Sequence, residues 1–557
     1  MNPPRSDRPW AGVLAVSGLC TWIGVQYLQC ARLTGGRLVY ALDDPYIHMA
    51  LARTLARYGS WGINPGRFEP ASSSPAWTLV LAAVDRIAGT HDATPLWLGL
   101  AAACGVLFML DRLLAPAVRG VPARAAWLGL VALLVPLPAL VFSGMEATLH
   151  VLLALALAFE AAAWMLGPRR TGLARGAGMA ALAALCVLTR FESLFLIACL
   201  AGAALLRGRT VVALALATGA AAALGGYAAL ALSHGGPWLP IPVLLDSHAP
   251  VLGSPATWVP FLRRLPVTLA ERHHWHMPAL LLGACGILLL HSGEVPERVR
   301  VPRLVLACFV PALLLHVLFA GIGAFFRYEA YLVAIGLAAM IAVAAGGRDA
   351  PPDARGTATW RAALAALAAL VLAAPLFARG VVAVRNTSRA EASIYRQQVQ
   401  MSRFVHDYFR GQTVAINDLG AVSWYGGAKV IDLVGLATPA VADARIAGRF
   451  FTPFIDSLCS AEHVRVALLY APWFAGDRAL PSGWRAVARW SVPEAIVLGG
   501  TTVTIYATTP GAADSVRDAV RAFGASLPPG VRAEIVGADR SLPAAEPAVP
   551  AAMTTSR

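Results

Sequence analysis

The stretch ALDDPYIHMALARTLARYGSWGINPG, residues 41–66, places two adjacent aspartates directly after an apolar segment. The rest of the chain keeps charge out of its apolar segments: 58% of the residues are hydrophobic, 14% are charged, and the mean hydropathy is +0.63. This composition excludes an ordinary soluble protein and is typical of a membrane protein. Asp43 and Asp44 therefore mark the point where the chain leaves its first apolar segment.

Apolar runs of about 15 to 22 residues recur across residues 11–377, which is the length that a helix needs to cross a bilayer. A shorter run at residues 76–89 contains two charges, and we interpret it as an interfacial segment that does not cross. The arginines of the later inner loops then share a side with Arg5 and Arg8, which is the positive-inside pattern. Those loop arginines are Arg112, Arg119, Arg124, Arg169, Arg170, Arg175, Arg207, Arg209, Arg298, Arg300 and Arg303. The sequence predicts about 11 transmembrane helices and a cytoplasmic N-terminus.

Composition divides the chain into three parts. Residues 1–377 are the predicted transmembrane domain, whose first outer loop spans residues 32–89. Residues 378–510 regain charges and turn residues, which predicts a soluble α/β domain on the outer, periplasmic face. Residues 511–557 are predicted as a helix and a Pro/Ala-rich tail. The fold class is an α-helical polytopic membrane protein with a C-terminal extracytoplasmic α/β domain. In that domain a helical run is predicted at residues 378–409 and strands at residues 413–417, 428–433, 464–470 and 501–506.

Several classes of protein are excluded. The net charge of +14 suggests nucleic acid as a partner, but no basic run interleaved with aromatic residues occurs. The 8 cysteines include no CxxC pair, so neither a disulfide framework nor a zinc site is indicated. The first apolar stretch is long for a signal peptide, and we interpret it as a retained anchor.

The first loop contains the two aspartates. Pro45 is favoured at the first position of a helix, which predicts a helix from Pro45 to about Tyr58 that Gly59 ends. This helix is amphipathic and would lie along the membrane interface. Asp44 is then either its N-cap or a catalytic carboxylate. Asp43 has no capping duty in this arrangement, which favours an acid/base or cation-binding role.

Other ionisable residues near the ends of apolar runs fall on the same predicted side as the aspartates, and they are Glu146, His150, Arg190, Glu192, Arg327 and Glu329. Arg327 is either a phosphate ligand or the partner of a buried carboxylate such as Glu329. Arg190 and Glu192 could hold each other at a helix boundary. Glu146 either favours the N-terminus of the following helix or binds an acceptor or a metal.

Several other polar residues are candidates for a site or for a structural role. The cluster at residues 273–276, HHWH, lacks the separated spacing of metal ligands, and we interpret it as interfacial. His234 and His248 are left without a role. Asp418 follows a predicted strand beside Gly420, so it either contacts a ligand or makes a turn. Residues 72–74, three serines before Pro75, are expected to cap the next helical segment.

The order of several short motifs resembles the GT-C glycosyltransferases, which are polytopic membrane enzymes, and in particular their arabinofuranosyltransferase-like branch. The motifs are Asp43-Asp44 with Tyr46; Asn64-Pro65-Gly66, Glu69 and Ser73-Ser74-Pro75-Ala76-Trp77; Ser143-Gly144-Met145-Glu146; Thr189-Arg190-Phe191-Glu192; Phe326-Arg327-Tyr328; Asn417-Asp418-Leu419-Gly420; and Ile431-Asp432-Leu433-Val434-Gly435-Leu436. Together they span about residues 40–437 of the chain.

The resemblance implies a glycosyltransferase that moves a hexose or pentose from a polyprenyl-phosphate donor to a glycan, lipid or protein acceptor of the cell envelope, on the outer face of the bacterial inner membrane. Asp43 and Asp44 are the candidate catalytic residues. The candidates for binding the donor phosphate or the substrate are Arg327, Tyr46, Glu146, Arg190, Glu192, Ser73, Ser74 and Asp418. No cofactor is established, and a divalent cation (Mg²⁺ or Mn²⁺) stays open with Asp43 and Asp44 as its candidate ligands.

The chemistry needs few groups. A base must take the proton of the acceptor hydroxyl, and positive charge must stabilise the departing phosphate. Because the phosphate leaves as a stable anion, one carboxylate suffices. Two other classes stay open. A lipid or solute transporter or flippase usually has internal repeats, and none is evident here. A non-catalytic envelope scaffold would tolerate changes in the acidic pair.

Overall fold

The computed structural model describes residues 10–168, 172–245, 255–347 and 358–537, and it shows a mostly helical protein with one six-stranded sheet. Arg5, Arg8, Arg169, Arg170 and His248 lie outside the described residues, as does most of the predicted tail. The positive-inside argument therefore stays a prediction.

Seventeen helices, labelled in chain order, precede the sheet in the described part of the chain. They are α1 (Trp10–Leu33), α2 (Asp44–Tyr58), α3 (Pro75–Ala88), α4 (Thr94–Leu114), α5 (Val121–Leu134), α6 (Leu137–Phe142), α7 (Ala147–Leu166), α8 (Leu173–Thr189), α9 (Ser193–Leu206), α10 (Thr210–Ser233), α11 (Ile241–Leu245), α12 (Pro255–Ala270), α13 (His276–Leu290), α14 (Glu297–Phe319), α15 (Ala330–Gly346), α16 (Ala358–Ile394) and α17 (Gln400–Phe409). A π-helical turn, Tyr395–Val399, joins α16 to α17.

Six helical stretches of the described residues are long and apolar enough to cross a membrane, namely α1, α4, α7, α10, α14 and Ala369–Phe409. Five shorter helices are also apolar, and they are α5, α8, α9, α13 and α15. These helices identify a multi-pass membrane protein. The count of about 11 spans, the orientation and the inner-membrane location stay predictions.

The chain divides into two compact units. Unit 1 comprises Met1–Val25, Leu96–Gly226 and Ser247–Arg385, and unit 2 comprises Gln26–Pro95, Tyr227–Asp246 and Asn386–Arg557. Unit 2 therefore combines the first loop with the C-terminal sheet. The predicted boundary between residues 377 and 378 lies inside α16.

In the first loop, α2 begins one residue earlier than predicted. Asp44 belongs to its first turn with Pro45, and Asp43 occupies the N-cap position without a side-chain cap hydrogen bond. The expectation that Asp44 is the N-cap is therefore wrong. The predicted end is confirmed: Gly59 adopts φ 68°, a left-handed conformation that glycine takes without steric cost.

The serines before α3 also differ from expectation. Ser74 is in the N-cap position, but its hydroxyl makes no cap hydrogen bond, while its N–H donates to Ser72 Oγ (3.2 Å). Pro75 occupies the first turn of α3 and removes one of the N–H groups that a cap would satisfy. The three serines therefore turn the chain into α3 without capping it through the Ser74 side chain.

The sheet lies in unit 2. Its elements are β1 (Thr413–Ile416), α18 (Gly420–Tyr425), β2 (Lys429–Asp432), α19 (Pro439–Ile446), α20 (Thr452–Ala461), β3 (Val466–Leu469), β4 (Arg485–Ser491), β5 (Thr502–Ala507), α21 (Ala513–Gly524) and β6 (Arg532–Ile535). The strand order is β2-β1-β3-β5-β4-β6. β1 runs parallel to β2 and β3, and the remaining pairs are antiparallel. The buried cluster against this sheet includes Ile431, Val441, Ile455, Leu469 and Trp484.

The four predicted strands are confirmed as β1, β2, β3 and β5, and two more were missed. In β4, Arg485 and Arg489 interrupt the apolar pattern. All four residues of β6 are exposed, so this edge strand carries no apolar face that a sequence could reveal. The predicted helix after residue 510 is α21, and β6 lies where a tail was expected.

Candidate functional site

Asp43 is 6% exposed, and its carboxylate lies at the N-terminus of α18 within unit 2. The Gly420 N–H donates to Oδ2 (2.5 Å) and the Ala421 N–H donates to Oδ1 (2.8 Å). The first N–H groups of a helix lack partners inside the helix and attract anions. The expectation that Asp43 has no capping duty is therefore wrong, since it binds the start of a helix 377 residues away.

Gly420 makes this contact sterically feasible. A Cβ atom at residue 420 would collide with the backbone carbonyl and the carboxylate of Asp43. Only a residue without a side chain lets the two segments approach so closely. The close packing of the first loop on α18 therefore requires a glycine at residue 420, the last residue of the Asn417–Gly420 motif.

Asp418 is the second carboxyl of this cluster, and unlike Asp43 it is partly exposed. Its Oδ2 accepts a hydrogen bond from Gln398 Nε2 (2.5 Å) and lies 3.2 Å from the Tyr470 hydroxyl oxygen. Its carboxyl also lies close enough to that of Asp43 for the two groups to interact. Two such carboxyl groups can form a hydrogen bond only if one of them carries a proton.

The pKa values of the pair agree with a shared proton. Burial raises the pKa of Asp43 to about 6, although hydrogen bonds from Asp418 and from the N–H groups of Ala421 and Gly420 oppose the shift. Burial and the adjacent Asp43 carboxyl raise the pKa of Asp418 well above its usual value. The two carboxyls therefore titrate as a pair, and the pair keeps a proton to a higher pH than an ordinary carboxyl does.

Asp44 differs from the residues before and after it in the chain in its access to solvent. Between residues 39 and 52 every residue except Asp44 is buried. Its negative charge contributes to the raised pKa values of Asp43 and Asp418, so the three carboxyls lie close enough to interact. Asp44 is thus the accessible carboxylate at this end of α2.

Tyr46 is fully buried and packs α2 against α18. Its ring lies 5.7 Å from that of Tyr40 and 5.6 Å from that of Tyr425, and its hydroxyl accepts a hydrogen bond from the Tyr40 N–H (3.2 Å). This environment gives Tyr46 a packing role, and substrate binding by Tyr46 stays a prediction.

Sequence reasoning missed His48, which connects α2 to the serines. Its Nδ1 lies 2.9 Å from Thr78 Oγ1 and its Nε2 lies 3.4 Å from Ser73 Oγ. Ser73 is partly exposed, whereas Ser74 and His48 are buried. His48 is four residues after Asp44 on the same helix, and this spacing was the available signal.

Unit 1 holds a different charged cluster at the start of α7 and the junction of α8 with α9. Arg190 Nη1 donates to Glu146 Oε1 (2.7 Å), and Arg190 Nη2 and Nε donate to the two oxygens of Glu192 (2.5 and 3.2 Å). Arg190 also lies 4.5 Å above the ring of Tyr328. The expectation that Arg190 and Glu192 hold each other is confirmed, and Glu146 joins them.

Glu329 is bound by two residues that the sequence did not connect with it. Arg379 donates to its Oε1 from Nη2 (2.7 Å) and Nε (3.0 Å), and His276 Nε2 lies 3.3 Å from the same oxygen. His276 is buried, so this member of the histidine cluster is not interfacial. The signal for Arg379 was an arginine inside an otherwise apolar helical run.

Arg327 follows a strained turn. Ala324, Phe325 and Phe326 have φ angles of 42°, 59° and 67°, which non-glycine residues adopt at a steric cost. Arg327 is mostly buried, and its guanidinium lies 5.2 Å from the ring of Tyr328. Tyr328 thus contacts both Arg190 and Arg327. Strained backbone of this kind concentrates at functional sites.

The residues present do not fit a divalent cation at Asp43 and Asp44. Each oxygen of Asp43 already accepts a backbone N–H, and Asp43 shares a proton with Asp418. Across the described ranges, no three or more His, Cys, Asp or Glu residues are arranged to hold a metal ion. We therefore derive no step through a metal.

The structure thus brings Asp43, Asp44 and Asp418 together in unit 2, and Glu146, Arg190 and Glu192 together in unit 1. It places Arg327 beside Tyr328 in unit 1 and Ser73 beside His48 in unit 2. The roles assigned to these residues stay predictions.

The comparisons with known proteins assign no role to individual residues. Residues 390–506 match a family described as Domain of unknown function (DUF8728). No curated protein matches the sequence.

Several solved structures are similar. ArnT from Cupriavidus metallidurans bound to undecaprenyl phosphate has 12% identity and a TM-score of 0.46, covering 89% of this chain and 99% of that one. The Archaeoglobus fulgidus oligosaccharyltransferase tethered to an acceptor peptide has 12% identity and a TM-score of 0.42, covering 88% and 74%. Arabinofuranosyltransferase AftD from Mycobacteria has 14% identity and a TM-score of 0.41, covering 88% and 41%. All three are GT-C glycosyltransferases, the class that the sequence resembles. At these values they assign no residue, donor or acceptor to this chain.

Proposed function

We propose that the protein is a glycosyltransferase that moves a hexose or pentose from a polyprenyl-phosphate donor to a cell-envelope acceptor on the outer face of the bacterial inner membrane. The observation that carries the proposal is the position of Asp44. It is the single partly exposed residue in a buried run, at the start of a helix whose preceding residue is fixed in place.

The proposed base is Asp44. Transfer to a hydroxyl needs a carboxylate that the acceptor can reach, and Asp44 has that access. Burial raises the pKa values of Asp43 and Asp418, and the two carboxyls interact with each other. Asp43 is therefore a positioning residue: it fixes the first turn of α2 on α18 and so orients Asp44.

For the departing phosphate, Arg327 is the proposed ligand. A guanidinium donates paired hydrogen bonds to phosphate oxygens and stabilises the charge that develops as the sugar leaves. Arg190 is less suited, because two carboxylates already accept three of its hydrogen bonds. The strained turn before Arg327 supports a functional rather than a packing role.

The reaction then needs no further group. Asp44 takes the proton of the acceptor hydroxyl while the oxygen of that hydroxyl attacks the anomeric carbon of the donor. The bond from that carbon to the phosphate oxygen breaks, and the lipid phosphate departs as an anion. Glu146 and Glu192 hold Arg190 and do not take part in this scheme.

The test is transfer of labelled sugar by the full chain in lipid nanodiscs, with a panel of polyprenyl-phosphate pentoses and hexoses and envelope acceptors. We expect turnover with at least one donor, and a loss of about 10²-fold or more in Asp44→Asn, which is the lower range for removing a general base. Asp456→Asn, which removes an exposed carboxylate of the same unit, is the matched control.

Two outcomes would contradict the proposal. Full activity of Asp44→Asn would remove the base from the scheme. No turnover with any donor by the folded protein, together with lipid movement across the same membranes, would favour a flippase.

An Arg327→Gln variant should raise KM for the donor more than KM for the acceptor.

A further inference from the structure

One edge of the sheet in unit 2 carries polar groups that the proposed catalysis does not use. β1 lies between β2 and β3, and the three strands are parallel. The chain passes from β1 to β2 on one side and later forms β3 on the other side of β1. In open α/β sheets such a reversal leaves a crevice beyond the carboxyl ends of the strands, where ligands bind.

Two buried amides at this edge lack a hydrogen-bond partner for one atom. Asn417 follows β1, and its Oδ1 accepts a hydrogen bond from the Tyr470 N–H after β3 (3.1 Å). Its Nδ2 donor has no partner among the described residues, and neither has the Oε1 acceptor of Gln398. Both side chains are more than nine-tenths buried. Buried polar groups without partners are rare and call for a bound ligand or water.

Trp473 lies at the surface and packs on Tyr470, the residue that contacts both amides. It is 40% exposed, its ring lies 5.4 Å from that of Tyr470, and its Nε1 donates to the Gly499 carbonyl oxygen (3.2 Å). A Cβ atom at residue 499 would collide with both rings, so a glycine there lets the backbone hold them. The indole is thus fixed in place and yet reachable.

We propose that this edge binds a neutral glycan, with a sugar ring packed on Trp473 and its hydroxyls bound by Asp418, Asn417 and Gln398. The face of an indole ring is negative and attracts the C–H groups of a sugar face. Sugar hydroxyls both donate and accept, which matches the open donor of Asn417 and the open acceptor of Gln398. These residues all lie within the segment that matches a domain family of unknown function.

The chemistry of the cluster favours a neutral glycan over a phosphorylated one. The described hydrogen bonds of Gln398, Asn417 and Asp418 come from or go to amides, hydroxyls, carboxyls and backbone rather than to arginine or lysine. A phosphate would need such a cation. Only the identification of this glycan with the acceptor rests on the proposed function.

The test is equilibrium binding of short arabino-, galacto-, manno- and gluco-oligosaccharides to the full chain in lipid nanodiscs, measured by calorimetry. We expect one class of oligosaccharide to bind, and Trp473→Ala to weaken it by about tenfold or more, as truncation of an aromatic anchor does. Trp473→Phe keeps a ring and should retain part of the affinity.

The controls separate this inference from the proposed function. Trp238→Ala removes another exposed tryptophan of unit 2 and should leave binding unchanged. Asp456→Asn removes an exposed carboxylate of the same unit and should also bind the oligosaccharide as the native protein does. Unchanged affinity in Trp473→Ala, or no binding of any oligosaccharide, would overturn the glycan site and leave the transferase proposal standing on its own assay.

Discussion

The two compact units stabilise their buried carboxylates in different ways. In unit 1, Arg190 is bonded to Glu146 and Glu192, and Arg379 is bonded to Glu329. In unit 2, Asp43 is bonded to the N–H groups that begin α18, and Asp418 to an amide and a second carboxyl. The carboxylates of unit 1 are held in ion pairs, which leave them little freedom to exchange protons. The cluster of unit 2 keeps a proton to a higher pH and adds an accessible third carboxylate, Asp44, which suits acid/base chemistry.

The largest effect is expected from breaking the ion pairs of unit 1. Arg190→Gln leaves the buried Glu146 and the partly exposed Glu192 without a cation, which costs about 3–5 kcal/mol of unfolding free energy. The measurement is thermal unfolding in nanodiscs, with the exposed Arg207→Gln as the control in the same unit. A shift in Tm no larger than that of the control would mean that Arg190 does not stabilise the two glutamates.

A smaller effect is expected from crowding the carboxylate cluster of unit 2. Gly420→Ala forces a Cβ atom against Asp43, which we expect to cost about 1–3 kcal/mol and to reduce transfer by displacing α2. Gly511→Ala places a Cβ atom in open space of the same unit and should be neutral. Equal stability of the two variants would contradict the close approach of Asp43 to α18.

The shared proton predicts how the stability of unit 2 depends on pH. The native pKa of Asp43 is about 6 and its ordinary value is 3.8, so the native state binds more protons between these values. The stabilisation is fully present below the ordinary value and is lost as the pH rises through about 6. We expect Tm to fall between about pH 4 and about pH 7, and Asp418→Asn to flatten this dependence. An unchanged slope in Asp418→Asn would contradict a shared proton.

The smallest effect concerns the ring between the two arginines of unit 1. Tyr328→Leu removes the ring that lies 4.5 Å from Arg190 and 5.2 Å from Arg327, at a cost of about 0.5–2 kcal/mol. Tyr328→Phe keeps the ring and should retain most of the stability. Thermal unfolding of the two variants measures the difference, and equal losses would assign the effect to the hydroxyl.

Local signals made much of the fold predictable. Pro45 and Gly59 mark the beginning and the end of α2, and runs of β-branched residues locate β1, β2, β3 and β5. Apolar runs of sufficient length revealed the membrane helices. The strands β4 and β6 were not predicted, because arginines interrupt the apolar pattern of β4 and all four residues of β6 are exposed.

Less of the site than of the fold could be predicted from the sequence. The contact of Asp43 with Gly420 joins residues 377 positions apart, and no periodicity encodes such a contact. From the sequence we expected Asp43 to have no capping duty and Asp44 to be either an N-cap or a catalytic carboxylate. The hydrogen bonds show instead that Asp43 binds the start of α18. Arg379 was likewise unassigned, because its partner Glu329 is 50 residues away.

The most direct test of the account compares Asp43→Asn with Asp44→Asn in the same preparation, by turnover and by Tm. The account predicts that Asp44→Asn keeps the native Tm and loses turnover, since its carboxylate serves chemistry. It predicts that Asp43→Asn lowers Tm, since an amide offers only one oxygen to the two N–H groups of α18. The opposite pattern, with a stable but inactive Asp43→Asn and an active Asp44→Asn, would contradict it.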